Sequence, residues 1–331
     1  MRKLFFLIPA MFAVMANATE TIIGSTDPTA VNSDVLTVAL QSANDGDVII
    51  LRDGTYNEYS NYIDFNKSVE VKAAEGANPL VNVGCYIKLQ GGKNIVIKGI
   101  KFNGTEQGHN GNTYYYFFRF YDNAATSLTM EDCEICYSAN EVIICENSKG
   151  FSQINLKNCY FHHNTKNAIS VASPNGGTIN IDGCEFEGFP KEIITGSSLS
   201  HISECTISNS YFHDCTNSAV YFATNYTIHA CNRLEITNST FANFSGFNAG
   251  VISLNSKSGK VMDSPDDDVE VNVDHCTFYN FSKTDESSTW GCIDVRKSTK
   301  TTISNSIFVN PAELPEGSKP QSNSIVWRYR F

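Results

Sequence analysis

The sequence has no basic surplus: 24 Lys and Arg stand against 35 Asp and Glu, for a formal net charge of −11. That balance excludes a surface built to neutralise phosphates, so no nucleic-acid partner is expected. Long charged helical stretches are also missing. Only one long apolar run occurs, "LFFLIPAMFAVM" at 4–15, too short to cross a bilayer comfortably, and no second one follows. No membrane span is therefore expected. What the chain does have is aromatics together with Asn, Ser and Thr, a composition suited to a β-rich exported protein.

The first residues carry an export signal: "MRK" is a positive start, the apolar run a core, and "ANA" a small-x-small cleavage site, with the cut expected between Ala18 and Thr19. No Cys stands just after the cut to accept a lipid. Residues 1–18 are read as a signal peptide and the mature chain as periplasmic, cell-surface or extracellular.

One phrase, "INLKNCYFHHN" at 154–164, recurs as "LTMEDCEIC" (128–136), "INIDGCEFEGF" (179–189), "TISNSYFHD" (206–214), "LEITNSTFANF" (234–244), "VNVDHCTFYNF" (271–281) and "TISNSIFVN" (302–310), with an earlier relative, "IVIKGIKFNG", at 95–104. The copies are about 25 to 37 residues apart, mostly near 26, which is a solenoid period. Aligned, they give a column of Gly99, Asp132, Asn158, Gly183, Asn209, Asn238, His275 and Asn305, drawn only from residues that tolerate a left-handed backbone. That column predicts a stacked one-residue bend. Two residues earlier the column is wholly apolar (Ile97, Met130, Leu156, Ile181, Ile207, Ile236, Val273, Ile303), and polar residues separate it from the bend, the period-two pattern of a half-buried strand. Three residues after the bend stand Phe102, Ile135, Phe161, Phe186, Phe212, Phe241, Phe278 and Phe308, which predict an internal aromatic stack.

A third strand per turn shows as inward pairs such as Ile87/Leu89, Phe118/Phe120, Ile169/Val171 and Val220/Phe222. Three short strands per turn predict an all-β, right-handed parallel β-helix, with a short N-terminal capping helix in "SDVLTVALQSA" (33–43), where an N-cap candidate precedes helically spaced apolar residues. The expected organisation is an N-terminal segment and cap over 19–46, the β-helix over 47–310, and a tail or partial cap over 311–331. Longer connections are expected at 104–114, 257–268 and 283–289.

Eleven Cys in an exported chain suggest disulfides. Yet Cys133, Cys159, Cys184 and Cys276 share one slot, directly after the bend, where the other copies mostly carry Ser. Same-slot residues on adjacent turns lie about 4.8 Å apart, farther than a bridge prefers, so they are read as buried thiols acting as small hydrophobes. Cys205–Cys231 and Cys136–Cys145 remain open as pairs.

The segments "ALQSANDGDVIILRDGTYNE" and "IDFNKSVEVKAAEGANPLV" resemble the opening of secreted bacterial β-helix proteins of the pectin-lyase-like superfamily, similar to chondroitinase-B and alginate-lyase-type proteins and their relatives of unassigned activity. The resemblance implies a polysaccharide partner. It transfers no catalytic residue: the Asn-Arg-Phe segment with its following Lys and Arg has no counterpart, nor do the Asn-Thr-Asp, Gly-His-Gly and Arg-Ile-Lys signatures of polygalacturonases.

Two surfaces are candidate sites. The outward side of the third strand carries Lys88, Arg119, Tyr121, Glu146, Tyr221, Asp294 and Arg296, flanking smaller residues (Ala168, Ser170, Ala172, Thr195, Ser197, Ala219, Ala223) that would form a shallow trough. Tyr can stack on sugar rings, and Arg or Lys can meet a uronate carboxylate. The strand after the bend carries outward Glu134, Tyr160, Glu185 and Tyr211 in one column and Cys136, His162, Glu187 and His213 in the next. There a His–Glu–His set is suited to a divalent metal, or Glu185 and Glu187 to acid/base work, against the plainer reading of cross-strand pairs on an exposed sheet. "DSPDDD" (263–268) offers oxygen ligands for calcium without a known loop spacing, and no cofactor is otherwise expected. The expected function is polysaccharide binding or assistance in its processing by a non-catalytic monomer. The alternatives are a polysaccharide lyase or glycoside hydrolase acting on an acidic glycan, and a structural adhesion spacer.

Overall fold

The computed structural model describes residues 18–59, 62–104, 117–223, 229–245, 250–254, 269–282, 292–295, 299–311 and 324–325. The expected signal peptide, most of the three long connections, the "DSPDDD" segment and Arg296 lie outside them.

Three parallel sheets wind around one core. The first has eleven strands, from Glu20–Ile23 to Thr299–Ser304, the second eleven, from Val31–Ser33 to Ile307–Pro311, and the third ten, from Tyr62–Phe65 to Ser324–Ile325. Each strand pairs with its equivalent one turn on, as a right-handed parallel β-helix requires. Among the described residues, the one antiparallel pair is Ile293–Val295 with Ser324–Ile325 at the C-terminal end of the third sheet.

The register follows the repeat. Ile97, Met130, Leu156, Ile181, Ile207, Ile236, Val273 and Ile303 are successive partners in the first sheet. Every member of the expected bend column has positive φ, from 49° at Asn238 and Asn305 to 66° at Gly99. Bend side chains also bond along the stack: the Asn158 amide donates to Asp132 (3.1 Å), and the Asn209 amide to Asp182 (2.7 Å). Inside, the rings of Phe161, Phe186, Phe212, Phe241, Phe278 and Phe308 stack with centroids 4.7–5.0 Å apart and planes within 13°. Each fully buried Phe contributes about 1.5–3 kcal/mol.

Three details differ from the sequence reading. All eleven Cys are free and buried, including the two possible pairs, but the post-bend thiols are more than small hydrophobes. Cys184 N–H donates to Ser210 Oγ (3.1 Å), whose hydroxyl donates to Ser208 O (2.7 Å), and Ser210 N–H donates to Ser239 Oγ (3.1 Å). Cys184 Sγ takes the same place for Cys159 N–H at 3.4 Å. From Cys133 onward the slot holds a small side chain that can accept from a neighbouring turn and donate to the carbonyl two residues back, which Ser and Cys both do; Ile100 fills it in the earliest copy.

The second difference is where the solenoid starts. Glu20–Ile23 and Val31–Ser33 already pair with Val48–Leu51 and Thr55–Glu58, so the first turn begins well before residue 47. The helix, Val35–Ser42, occupies that turn's third-sheet slot and buries Leu36, Thr37 and Leu40 against the end of the core. Its N-terminus is capped from the next turn. Glu58 accepts from Leu36 N (2.8 Å), Thr37 N (3.1 Å) and Thr37 Oγ1 (2.7 Å), while Asp34 makes no side-chain cap.

A second bend column, unforeseen, follows the second-sheet strands in the earlier turns and falls within the longer strands Thr240–Ser245 and Thr277–Ser282 in the later ones: Tyr137, His163, Gly188, Asp214, Asn243 and Asn280 all have φ between 50° and 71°.

Candidate functional site

The outer face of the third sheet is set by strands Tyr62–Phe65, Tyr86–Leu89, Phe118–Phe120 and Ile143–Glu146. Inward residues of these strands, among them Ile63, Ile87, Phe118 and Ile143, are fully buried, which fixes the outward direction of their neighbours. In register, Asp64, Lys88, Arg119, Ile144, Ser170, Thr195, Tyr221, Ser253 and Asp294 form one column.

The first turns hold a compact cation–aromatic group. Lys88 Nζ lies 3.2 Å from the Tyr62 ring centroid, 4.5 Å from that of Tyr121 and 5.7 Å from that of Tyr86. Tyr62 and Tyr86 stack at 6.2 Å. On the neighbouring turn Arg119 forms an ion pair with Glu146 (2.6 Å), and its guanidinium carbon lies 5.9 Å from the Tyr121 centroid. Lys149 Nζ also lies over the Tyr121 ring, 5.4 Å from its centroid. Aromatic faces stabilise the ammonium where water is partly excluded, and Lys88 is only 9% exposed.

Of the trough residues read from sequence, the structure brings together Lys88, Arg119, Tyr121 and Glu146. Tyr221 shares their column but stands four turns from Arg119, roughly 19 Å at ~4.8 Å per turn. Asp294 is corrected: it is 1% exposed and cannot line an open surface. Ala168 and Ala219 are fully buried just before their strands, and Ile144 interrupts the column with an apolar side chain. Tyr62, Tyr86 and Lys149 were missed. Extending the inward pairs one turn earlier, to Ile63/Phe65, would have placed Tyr62 beside Tyr86 and Asp64 beside Lys88.

The second patch lies on the second sheet, where Cys136, His162, Glu187 and His213 do line up on successive turns. Its pairing is diagonal rather than along the column. His162 Nε2 meets Glu134 (2.8 Å), His213 Nε2 meets Glu185 (3.0 Å), and the Tyr160 hydroxyl donates to Glu187. The two His are not surface groups, each being 8% exposed, and Cys136 is fully buried. Tyr160 and Tyr211 stack on the His two residues later, with centroids 4.3 and 4.2 Å apart. Burial opposes charge on His213, but its hydrogen bonds to Asp214 and Glu185 prevail and raise it above its ordinary value. The hydrogen bond to Glu187 pushes Tyr160 well above the usual phenol range. A polar cleft of about 300 Å³ lined by Asp214, Asn243, Phe244, Ser245 and Asn280 opens beside this patch.

No family model matches the chain, and the search of curated proteins finds no relative. Among solved structures it is similar to an arginine variant of the PL6 family alginate lyase AlyGC (13% identity, TM-score 0.55), covering 88% of this chain and 40% of that one. It is also similar to pectate lyase Pel9A (18% identity, TM-score 0.49), covering 84% of this chain and 72% of that one. The chain thus spans 40% of the alginate lyase's length. Together with the observed windings, the likeness to the alginate lyase shows the fold of the chain, a right-handed parallel β-helix.

Proposed function

We propose that this protein is exported and binds an anionic polysaccharide, without cleaving it, along the outer face of its third sheet. The observation that carries the proposal is the juxtaposition of Lys88 and Arg119 on neighbouring turns within a setting of Tyr62, Tyr86 and Tyr121. Tyrosine rings stack on sugar faces, while the guanidinium receives a carboxylate and Lys88, 9% exposed among the rings, adds positive charge behind them. Glu146 holds the guanidinium in place and is the group a uronate carboxylate would displace or share. A polymer lying along the solenoid axis would meet the same face turn after turn. The resemblance of the opening segments to secreted β-helix proteins supports the same class of partner.

Retention of the full chain in gels containing a panel of uronate-rich and neutral polysaccharides tests the proposal. The expected result is retardation by uronate-rich polymers alone, weakening as salt screens the charges. Equal retardation by neutral polymers, or none at all, would overturn it. Ultraviolet absorbance from an unsaturated uronate in the same incubations would replace binding with lyase chemistry.

A further inference from the structure

We propose that Glu185, Glu187 and His213 form a binding site for a divalent transition-metal ion of the zinc type, on the second sheet and independent of the polysaccharide face. One ligand atom from each lies within 4.8 Å of the others. Two donors on a tetrahedral Zn²⁺ lie roughly 3.3 Å apart at bond lengths of ~2.0–2.1 Å, so small side-chain rotations close the set. The glutamates can supply that movement, since the Glu185 side chain is 46% exposed, while buried His213 provides the fixed ligand.

The hydrogen bonding of His213 points the same way. Asp214 Oδ2 lies 2.7 Å from Nδ1. A carboxylate only accepts, so Nδ1 carries the hydrogen, and a neutral ring then turns the Nε2 lone pair toward Glu185 Oε1, a second acceptor 3.0 Å away. Something positive belongs between these two atoms, either a proton or a metal ion. An orienting carboxylate behind the imidazole is the usual support of a metal-bound His. Among the described residues, no Lys or Arg pairs with Glu185, Glu187 or Asp214: His213 is the ion partner of Glu185 and Asp214, and Glu187 accepts only from the neutral Tyr160 hydroxyl. Charge balance therefore favours a dication. The imidazole selects a transition metal over calcium, which prefers an all-oxygen shell.

A related cluster two turns back, Glu134, Cys136 and His162, sharpens the assignment. There Lys101 already neutralises Glu134, and His163 Nδ1, not a carboxylate, faces His162 Nδ1 at 2.6 Å. The same strand pattern with a lysine in place thus serves as an internal comparison.

The test is titration of Zn²⁺ into the chelator-treated full chain against a chromophoric zinc indicator. One tight equivalent is expected, weakened at least about tenfold by His213→Ala or Glu187→Gln, and about 10–100-fold by Asp214→Asn. His162→Ala should leave it in place, and excess Ca²⁺ should not displace it. Glu187→Gln keeps the assignment testable if His213→Ala fails to fold, with circular dichroism as the check. No tight equivalent, unchanged affinity in Glu187→Gln, a loss that follows His162→Ala, or displacement by Ca²⁺ would each overturn the proposal.

Discussion

Cys184 and Ser210 do one job with different atoms. Each accepts an N–H from the turn before and points back to a carbonyl two residues earlier. Cys184→Ser should therefore change stability by less than about 1 kcal/mol, whereas Cys184→Val, which leaves Cys159 N–H without its acceptor, should destabilise by about 1–3 kcal/mol. Urea unfolding of the two variants checks this. At the bends, Asn209 holds φ at 51°, so Asn209→Ala should destabilise by about 1–2 kcal/mol and Asn209→Gly by less, read in the same way. The first bend was legible because its column contains only residues that tolerate such a backbone. The second was not, because Tyr137 and His163 stand where Asn and Gly stand in later turns. The hydrogen-bonding role of the Cys column escaped for a similar reason: a shared slot reveals size, and the partners lie a turn away.

Among the elements, the helix shows where local sequence rules stop. Its periodicity is plain in Leu36 and Leu40, but its cap, Glu58, comes from 21 and 22 residues downstream of the N–H groups it receives. No local capping pattern encodes such a contact. Burial is the main influence on this carboxyl and, against the hydrogen bonds from Thr37 and Leu36, raises it above its ordinary value. The folded chain thus holds the proton more tightly than the unfolded one. The associated stability is present below the unfolded carboxyl range and declines as pH rises through the folded value. Glu58→Gln removes that titration, so its stability relative to the parent should improve from pH 4 to pH 8 in denaturant unfolding. A constant difference across that range would contradict the reading. The Phe stack is the other element with a clear test. Phe186, 4.8 and 4.7 Å from its neighbouring rings, should cost about 3–5 kcal/mol when changed to Ala, measured by thermal or urea unfolding.

Over the whole molecule, a period near 26 residues was enough to align three sheets and to place Lys88 beside Arg119. It was not enough to tell an outward residue from an exposed one. Asp294 and Cys136 hold outward register positions yet are 1% and 0% exposed, because what lies over a sheet is set by other segments and not by strand alternation. For the same reason the cation–aromatic group was only half visible: Lys88, Arg119 and Tyr121 follow from the column, while Lys149 arrives from a bend. The central functional claim is that this group, and not the histidine patch, receives an acidic glycan. Calorimetric titration of the full chain with a uronic-acid oligosaccharide of defined length tests it most directly, with Arg119→Ala and His213→Ala alongside. Affinity should fall at least about tenfold, ~1.4 kcal/mol, in Arg119→Ala and stay unchanged in His213→Ala. Unaltered affinity in Arg119→Ala, or a loss confined to His213→Ala, would contradict the account.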